Sequence, residues 1–319
     1  LMNEISYTLF KTVFLSMKQI MHAERVIRDK MQKLPEGFVK RTYRYWQQGH
    51  EVQECNLYTP AEEDEESRPL LVDIHGGCWL YGDKDYYDHF SYHMVQQGFD
   101  VSSLTYRTID QVQLRHQVQD VFDYFHFLAR KKKEMGIDLS RAALTGDSAG
   151  AQLSLLCLCI NQSENLQKIF GVEPFDIDFK ALILTHPVCF IDEAGRLPKW
   201  DLISRKISIP GLQTFLYGRN YKEQIEHGYS VNPYAYIEPG MHFPPILLVT
   251  SKGDKMFKIQ TQMLMKALDQ KHVPYKFYYE RDPEAGHVFN VTNPDAEYSQ
   301  RCNEFIGNFI KDNLNKPKH

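Results

Sequence analysis

Short β-rich runs alternate with helical stretches along most of this 319-residue chain, and that alternation limits the folds it can adopt. Each run is rich in branched or aromatic side chains, as strands are. The stretches between them carry apolar residues at a 3.6-residue period, as helices that bury one face do. The pattern therefore predicts a mostly parallel sheet with helices on both faces. The predicted strands are 70–75, 100–106, 142–146, 181–186, 245–251 and 275–280, and the predicted helices are 85–97, 114–135, 149–161, 258–271 and 294–314.

Three parts of the chain stand outside this alternation. Residues 42–46 and 51–58 have the period of two antiparallel strands. Residues 4–32 carry apolar side chains at helical spacing, which predicts one or two amphipathic helices. A long stretch before the strand at 245–251 is interpreted as an insertion over one end of the sheet. Helical pieces are predicted in it at 200–209 and 212–217.

Composition narrows the class of partner. The net charge is −4 and 43% of the residues are apolar, with acidic and basic residues interspersed. This balance is typical of a globular protein and gives no electrostatic reason for a nucleic-acid or membrane partner. The six cysteines include no CxxC pair, so we expect reduced thiols and a cytoplasmic location. The apolar stretch 8–15 is too short to cross a membrane.

One serine lies between small residues where a predicted strand meets a predicted helix. Residues 146–150 read Gly-Asp-Ser-Ala-Gly, and the strand, turn and helix around them are the setting of a nucleophile elbow. The glycines would permit the tight turn that exposes the Ser148 hydroxyl. The same residues could instead be a plain helix start capped by Ser148 or Asp147.

A glycine pair follows another predicted strand and suits acyl transfer. Gly76, Gly77 and Cys78 come directly after the strand at 70–75. Glycines let backbone N–H groups approach a developing oxyanion closely. Together with the N–H of Ala149, this loop could form an oxyanion hole.

A base and an acid are also placed after strands. Asp254 follows the strand at 245–251, and His287 follows the strand at 275–280. A serine nucleophile needs a base to take its proton and a carboxylate to orient that base, and the order Ser, Asp, His is that of α/β-hydrolases. Since ligand sites in parallel sheets lie beyond the carboxyl ends of the strands, the three side chains are expected to meet there. Rival carboxylates are Asp192, Asp282 and Glu284, but none follows a strand end at the place that the fold requires.

As a set, these motifs resemble the hormone-sensitive-lipase-like (HGGG-type) branch of the α/β-hydrolase superfamily, which consists largely of carboxylesterases. The resemblance covers about residues 69–312 and includes His-Gly-Gly at 75–77, Tyr106-Arg107 and Asn232-Pro233. It implies an α/β-hydrolase fold, with a mostly parallel eight-stranded sheet flanked by helices and a helical cap. In a single domain, the cap would comprise about residues 1–40 and 189–240, and the catalytic core about 41–188 and 241–319.

The resemblance also implies a role for each matched position. Ser148 would be the nucleophile, His287 the base and Asp254 the orienting acid. The oxyanion hole would lie at Gly76, Gly77, Cys78 and Ala149, with Gly76 shaping the loop. The third glycine of the family is Cys78 here, and its side chain would narrow the acyl pocket. Weaker candidates for substrate contact are Trp79, Tyr81 and Asp147.

The sequence therefore predicts a serine hydrolase that cleaves small carboxylic esters, with short-chain or aromatic groups, through an acyl-serine. An amide or formamide hydrolase of the kynurenine-formamidase or exopeptidase type is the alternative, and a non-catalytic receptor is disfavoured by the presence of His287. We expect no cofactor, because the acyl-serine mechanism needs none. We expect no metal, because the helical pair His89 and His93 lacks the glutamate of a zinc motif. We expect a small ester as partner, no nucleic acid, no stable membrane insertion, and allow for a homodimer.

Overall fold

A computed structural model gives the fold of most of the chain. It describes residues 4–31, 34, 36–46, 53–62, 67–191, 209–218, 220–226, 229–255 and 258–314. The strands are β1 Phe38–Arg44, β2 Glu54–Pro60, β3 Pro69–Ile74, β4 Asp100–Leu104, β5 Asp138–Asp147, β6 Leu182–Thr185, β7 Ile246–Ser251 and β8 Tyr275–Glu280. The helices are α1 Glu4–Met31, α2 Asp88–Gln96, α3 Leu114–Met135, α4 Ala149–Asn161, α5 Glu164–Phe170, α6 Ile209–Tyr217, α7 Tyr221–Glu226, α8 Lys258–Gln270, α9 Phe289–Thr292 and α10 Glu297–Lys311.

Within the described ranges, eight strands form one sheet in the order β1-β2-β4-β3-β5-β6-β7-β8. The pairs β1/β2 and β2/β4 are antiparallel, and each later pair is parallel. The predicted mostly parallel sheet and its antiparallel beginning are therefore confirmed. α3, α4 and β8 have the bounds expected from the sequence.

Both faces of the sheet are buried, and the strand period explains how. Leu70 and Val72 of β3 lie in one apolar cluster, whereas Leu71 between them lies in a second cluster. α3, α4 and α8 contribute to the first cluster, and α2 and α10 contribute to the second. Because successive side chains of a strand point to opposite faces, a strand covered on both sides reads as a continuous apolar run.

The carboxyl ends of the central strands are adjacent and are tied together by the backbone. The N–H of Ser148, just after β5, donates to Thr185 O at 2.8 Å. The N–H of His186, just after β6, donates to Val249 O at 2.8 Å. The residues that follow β3, β5, β6 and β7 consequently share one edge of the sheet.

The structure differs from the sequence prediction in several places. β5 begins at Asp138 rather than 142 because Asp138 pairs with Pro69 across a shift of register. α5 was not predicted, and α6 begins at Ile209 rather than 212. The predicted helical piece at 200–209 lies outside the described residues except for its last position. In the described part of the chain, no helix is long and apolar enough to cross a membrane.

Candidate active site

The turn between β5 and α4 holds Ser148 in a strained conformation. Its φ and ψ are 50° and −112°, a region that side-chain-bearing residues rarely occupy. A Cβ at Gly150 would lie 1.9 Å from Ile74 O, so only glycine lets α4 pack this closely on the end of β3. Strain held by close packing is typical of functional turns, and here it presents the hydroxyl at the edge of the sheet.

The structure brings Ser148, His287 and Asp254 together in one line. His287 Nε2 lies 3.0 Å from Ser148 Oγ, and His287 Nδ1 lies 2.9 Å from Asp254 Oδ2. The Asp254 side chain is 1% exposed, whereas the imidazole is 26% exposed. The buried carboxylate accepts from Nδ1–H, which leaves Nε2 as the acceptor that faces the serine hydroxyl.

The loop after β3 lies beside the serine and has an unusual backbone. Gly77, Cys78 and Trp79 have φ values of 95°, 54° and 59°. A Cβ at Gly77 would lie 1.9 Å from Tyr81 O, so glycine is required at this position. The run of positive φ turns successive peptide groups of the loop in directions that an extended chain would not allow.

The Gly76 N–H is already engaged. It donates to Asp147 Oδ1 at 2.8 Å, so it is not available to an oxyanion and Gly76 contributes to the loop shape alone. Within the described residues, the N–H groups of Gly77, Cys78 and Ala149 donate to no other backbone group. These three amides remain the candidate oxyanion donors.

Asp147 is a buried carboxyl with two partners. Tyr87 OH donates to Asp147 Oδ2 at 2.8 Å, in addition to the bond from Gly76. Burial raises the pKa of Asp147 to about 6, against the opposing effect of its hydrogen bonds from Tyr87 and Gly76. Asp147 thus joins the turn at Ser148 to the neighbouring loop, and its predicted contact with substrate stays a prediction.

The aromatic candidates for substrate contact are also buried. Trp79 Nε1 donates to Gln152 Oε1 at 2.8 Å, and Gln117 Nε2 donates to Trp79 O at 2.8 Å. Tyr81 OH lies 3.2 Å from His22 Nδ1 of α1. These contacts hold the loop after β3 in place.

The remaining candidates from the sequence are Cys78 and the histidine pair His89 and His93 on α2. Burial, followed by the nearby Asp147 carboxyl, raises the pKa of the Cys78 thiol to about 11. His93 Nε2 lies 2.8 Å from Asp295 Oδ1. Among the residues that the structure describes, no group of three His, Cys, Asp or Glu side chains could hold a metal ion.

Sequence reasoning missed two buried polar residues of this edge. His186 follows β6 and Ser251 ends β7, and their side chains lie 3.1 Å apart, His186 Nε2 to Ser251 Oγ. The sequence feature that could have identified His186 was its position at the end of the predicted strand 181–186. The assembled groups can pass a proton from Ser148 to His287, which is the first requirement of acyl transfer to a serine.

The BD-FAE family profile matches residues 55–268 of this chain. The chain is similar in structure to esterase B of Lactobacillus rhamnosis, with a TM-score of 0.87 and 29% identity over 97% of this chain and 96% of that chain. A structure of the same esterase inhibited by a tributyrin phosphonate covers 96% of each chain with the same TM-score and identity.

Two curated proteins are similar over a shorter region. Ethyl acetate hydrolase of Pseudomonas putida is 29% identical over 102 residues, which is 31% of this chain and 32% of that protein. Arylacetamide deacetylase of Bos taurus is 30% identical over 106 residues, which is 31% of this chain and 26% of that protein. The matched region thus spans about a third or less of the length of these curated relatives.

Proposed function

The chain belongs to the BD-FAE family, among the hormone-sensitive-lipase-like carboxylesterases of the α/β-hydrolase superfamily, and from this premise we propose that it hydrolyses small esters through an acyl-serine at Ser148. The observation that carries the proposal is the unbroken line of 3.0 Å and 2.9 Å contacts from Ser148 through His287 to Asp254. Ser148 is the nucleophile, His287 the general base and Asp254 the group that orients it.

Acylation begins when Ser148 Oγ attacks the ester carbonyl carbon. His287 Nε2 takes the hydroxyl proton, and the imidazolium is stabilised by the buried Asp254 carboxylate. The carbonyl oxygen becomes an oxyanion that accepts from the N–H groups of Gly77, Cys78 and Ala149. Each such donor contributes about 3 kcal/mol to lowering the barrier.

The intermediate collapses when the bond from carbon to the alkoxy oxygen breaks. His287 Nε2 returns the proton to that oxygen, so a neutral alcohol leaves and the acyl group stays on Ser148. Water then attacks the acyl-serine, His287 takes a proton from the water, and collapse releases the carboxylic acid and restores the Ser148 hydroxyl. No cofactor or metal enters either half of the reaction.

The substrate class is a short-chain ester. Support comes from the tributyrin phosphonate that inhibits the structurally similar esterase B and from the ethyl acetate named in the Pseudomonas relative. The Cys78 side chain agrees with a small acyl group, because it occupies a position where the wider family has glycine.

An aryl amide is the second candidate substrate class, favoured by the similarity to arylacetamide deacetylase. An ester and an amide use the same acyl-serine, and they differ in the leaving group to which His287 must deliver the proton. p-Nitrophenyl acetate and p-nitroacetanilide are compared on one preparation. Hydrolysis of the anilide that Ser148→Ala abolishes supports the amide class, whereas hydrolysis of the ester with none of the anilide supports the ester class.

We place a helical cap at about residues 1–40 and 189–240, over a core of about 41–188 and 241–319. Support comes from contacts of α1 with the rest of the chain. Lys18 Nζ lies 2.8 Å from Asp110 Oδ2, and Arg25 Nη1 donates to Asp83 Oδ2 at 2.6 Å. The Phe14 ring lies 5.3 Å from that of Phe215 of α6. A reducing, cytoplasmic location is supported by six free cysteines, of which five are buried.

The decisive experiment removes the nucleophile. Ser148→Ala is expected to abolish hydrolysis of p-nitrophenyl butyrate and labelling by a fluorophosphonate. Ser140→Ala is the matched control, because Ser140 lies at the exposed beginning of the same strand, β5, and should leave both unchanged. Undiminished hydrolysis by Ser148→Ala would overturn the proposed function.

A further inference from the structure

We propose that His186 is a positioning residue for the reaction, which holds the segments of Asp254 and His287 in register from the buried side of the site. The inference rests on the proposed function and adds to it a residue that does not touch the substrate. Its basis is a set of hydrogen bonds that joins three separate strand ends.

His186 is placed firmly at the end of β6. Its side chain is 0% exposed, and its φ of 46° is in the left-handed region that disfavours a side-chain-bearing residue. Its N–H donates to Val249 O at 2.8 Å. A residue held in an uncommon conformation by its surroundings indicates that the direction of its side chain matters.

The hydrogen bonds of the ring define its tautomer. The Val288 N–H donates to His186 Nδ1 at 3.3 Å, so Nδ1 is the acceptor and the proton is on Nε2. His186 Nε2–H therefore donates to Ser251 Oγ at 3.1 Å. Since Val288 is the residue after His287, one end of the ring fixes the segment that carries the base.

Ser251 joins the other end of the ring to both segments. Its hydroxyl donates to Ala285 O at 2.6 Å, two residues before His287, and its oxygen accepts from the Asp254 N–H at 3.3 Å. One donor and two acceptor positions of the hydroxyl are thus used. The two segments approach so closely that a Cβ at Gly253 would lie 2.3 Å from Ala285 O.

His186 is held in its neutral form, as a residue with a positioning role requires. The groups that face it are the Asp254 carboxyl, with Oδ2 3.9 Å from Nε2, and the ring of His287, with centroids 5.3 Å apart. The rings of His186 and Phe289 are also nearly perpendicular, with their centroids 5.6 Å apart. Burial, followed by the nearby His287, lowers the pKa of His186 to about 3, so the ring stays neutral and keeps both hydrogen bonds throughout the working pH range.

A set of substitutions separates the two ends of the ring. His186→Asn keeps an acceptor near the Nδ1 position and loses the donor to Ser251. His186→Gln keeps a donor near the Nε2 position and loses the acceptor for Val288. His186→Phe keeps the shape of the ring and loses both. The control is His116→Gln, because His116 is half-buried on α3 and touches none of the three catalytic residues.

The measurements are kcat per active site for p-nitrophenyl butyrate, KM, and the rate at which a fluorophosphonate labels Ser148. Counting active sites by labelling removes the effect of misfolded protein. We expect His186→Phe to lower kcat per site and the labelling rate by about a hundredfold, with KM nearly unchanged, because a small displacement of the base is enough. The Asn and Gln variants should fall between Phe and the unmutated protein.

The Asn and Gln variants keep the proposal testable even if His186→Phe does not fold. If their kcat per active site and their labelling rates stay within about twofold of the unmutated protein, the proposal is overturned. Ser251→Ala adds an independent measurement. It should cost more kcat in the His186→Gln background than in the His186→Asn background, because only the Gln variant still donates to Ser251, whereas the bonds of Ser251 with Ala285 O and the Asp254 N–H are lost in both. Equal costs in both backgrounds would also overturn it.

Failure of the proposed function gives a different result. If the unmutated protein labels at Ser148 but does not hydrolyse the ester, the function is wrong, and the labelling rates of the variants still decide the role of His186. If Ser148 neither labels nor hydrolyses, both proposals are overturned.

Discussion

Asp147 Oδ1 accepts a 2.8 Å hydrogen bond from the Gly76 N–H, so the residue before the candidate nucleophile holds the loop that carries two of the candidate oxyanion donors. We expect Asp147→Leu to lower kcat for p-nitrophenyl butyrate by about tenfold to a hundredfold, because the loop loses its anchor while a buried N–H loses its partner. Asp147→Asn can accept from Gly76 and donate to Tyr87, and should retain most of the activity. Equal kcat values for the Leu and Asn variants would contradict this account.

The raised pKa of Asp147, about 6 against an ordinary value of 3.8, also links the fold to pH. The folded state binds the proton more tightly than the unfolded state, so this stabilisation is complete below pH 4 and is lost as the pH rises through 6. The free energy of unfolding of the unmutated protein, relative to Asp147→Asn, should fall by up to about 3 kcal/mol between pH 4 and pH 7.5. Urea denaturation at the two pH values measures it, and a difference that does not change with pH would refute it.

The residues of the site differ in how much local signal the sequence carries for them. Ser148, Asp254 and His287 each follow a recognisable strand, and the rule for parallel sheets then places them at one edge. The hydrogen bond that Asp147 accepts from the loop after β3 has no such local signal. Its partner Gly76 is 71 residues away, and no local pattern gives such a pair.

The contact between His186 and Ser251 is likewise one that no local sequence pattern predicts. They are 65 residues apart, and Val288 is 102 residues from His186. Their hydrogen bonds exist only because β6, β7 and the segment after β8 are neighbours, which is a property of strand order rather than of spacing. α5 was missed for another reason, because a seven-residue helix is too short to display a period.

Cys78 should be unreactive although it lies on the loop beside Ser148, the candidate nucleophile. Because burial and the Asp147 carboxyl raise its thiol pKa to about 11, the thiol is protonated at pH 7.5, and the thiolate is the reactive form. We expect iodoacetamide at pH 7.5 to leave most of the esterase activity intact. Rapid inactivation of the unmutated protein, absent from Cys78→Ala, would show instead that this thiol is ionised.

Gly150→Ala should destabilise the fold by about 3 kcal/mol, since the added Cβ would lie 1.9 Å from Ile74 O and 2.6 Å from His75 O, and both are backbone atoms. Gly286→Ala is the control, because its Cβ would have no neighbour within 4 Å and should change stability by no more than about 0.5 kcal/mol. Urea denaturation of the two variants compares them. Similar midpoints would mean that α4 does not pack on β3 as closely as the structure has it.

The lowered pKa of His186, about 3 against an ordinary value of 6.5, makes the fold sensitive to acid in the opposite sense from Asp147. The unfolded chain takes up a proton below pH 6.5 that the folded protein does not, so the stabilisation is complete above pH 6.5 and is lost as the pH falls toward 3. Relative to His186→Gln, the unmutated protein should lose about 1.4 kcal/mol of its free energy of unfolding for each pH unit below 6.5. Urea denaturation of both proteins at pH 7.5, 6 and 5 measures how the difference in their free energies of unfolding changes with pH. The contributions of the other titrating groups are the same in both proteins and cancel in this difference. A difference that stays constant over these pH values would mean that the folded protein protonates His186 as readily as the unfolded chain does.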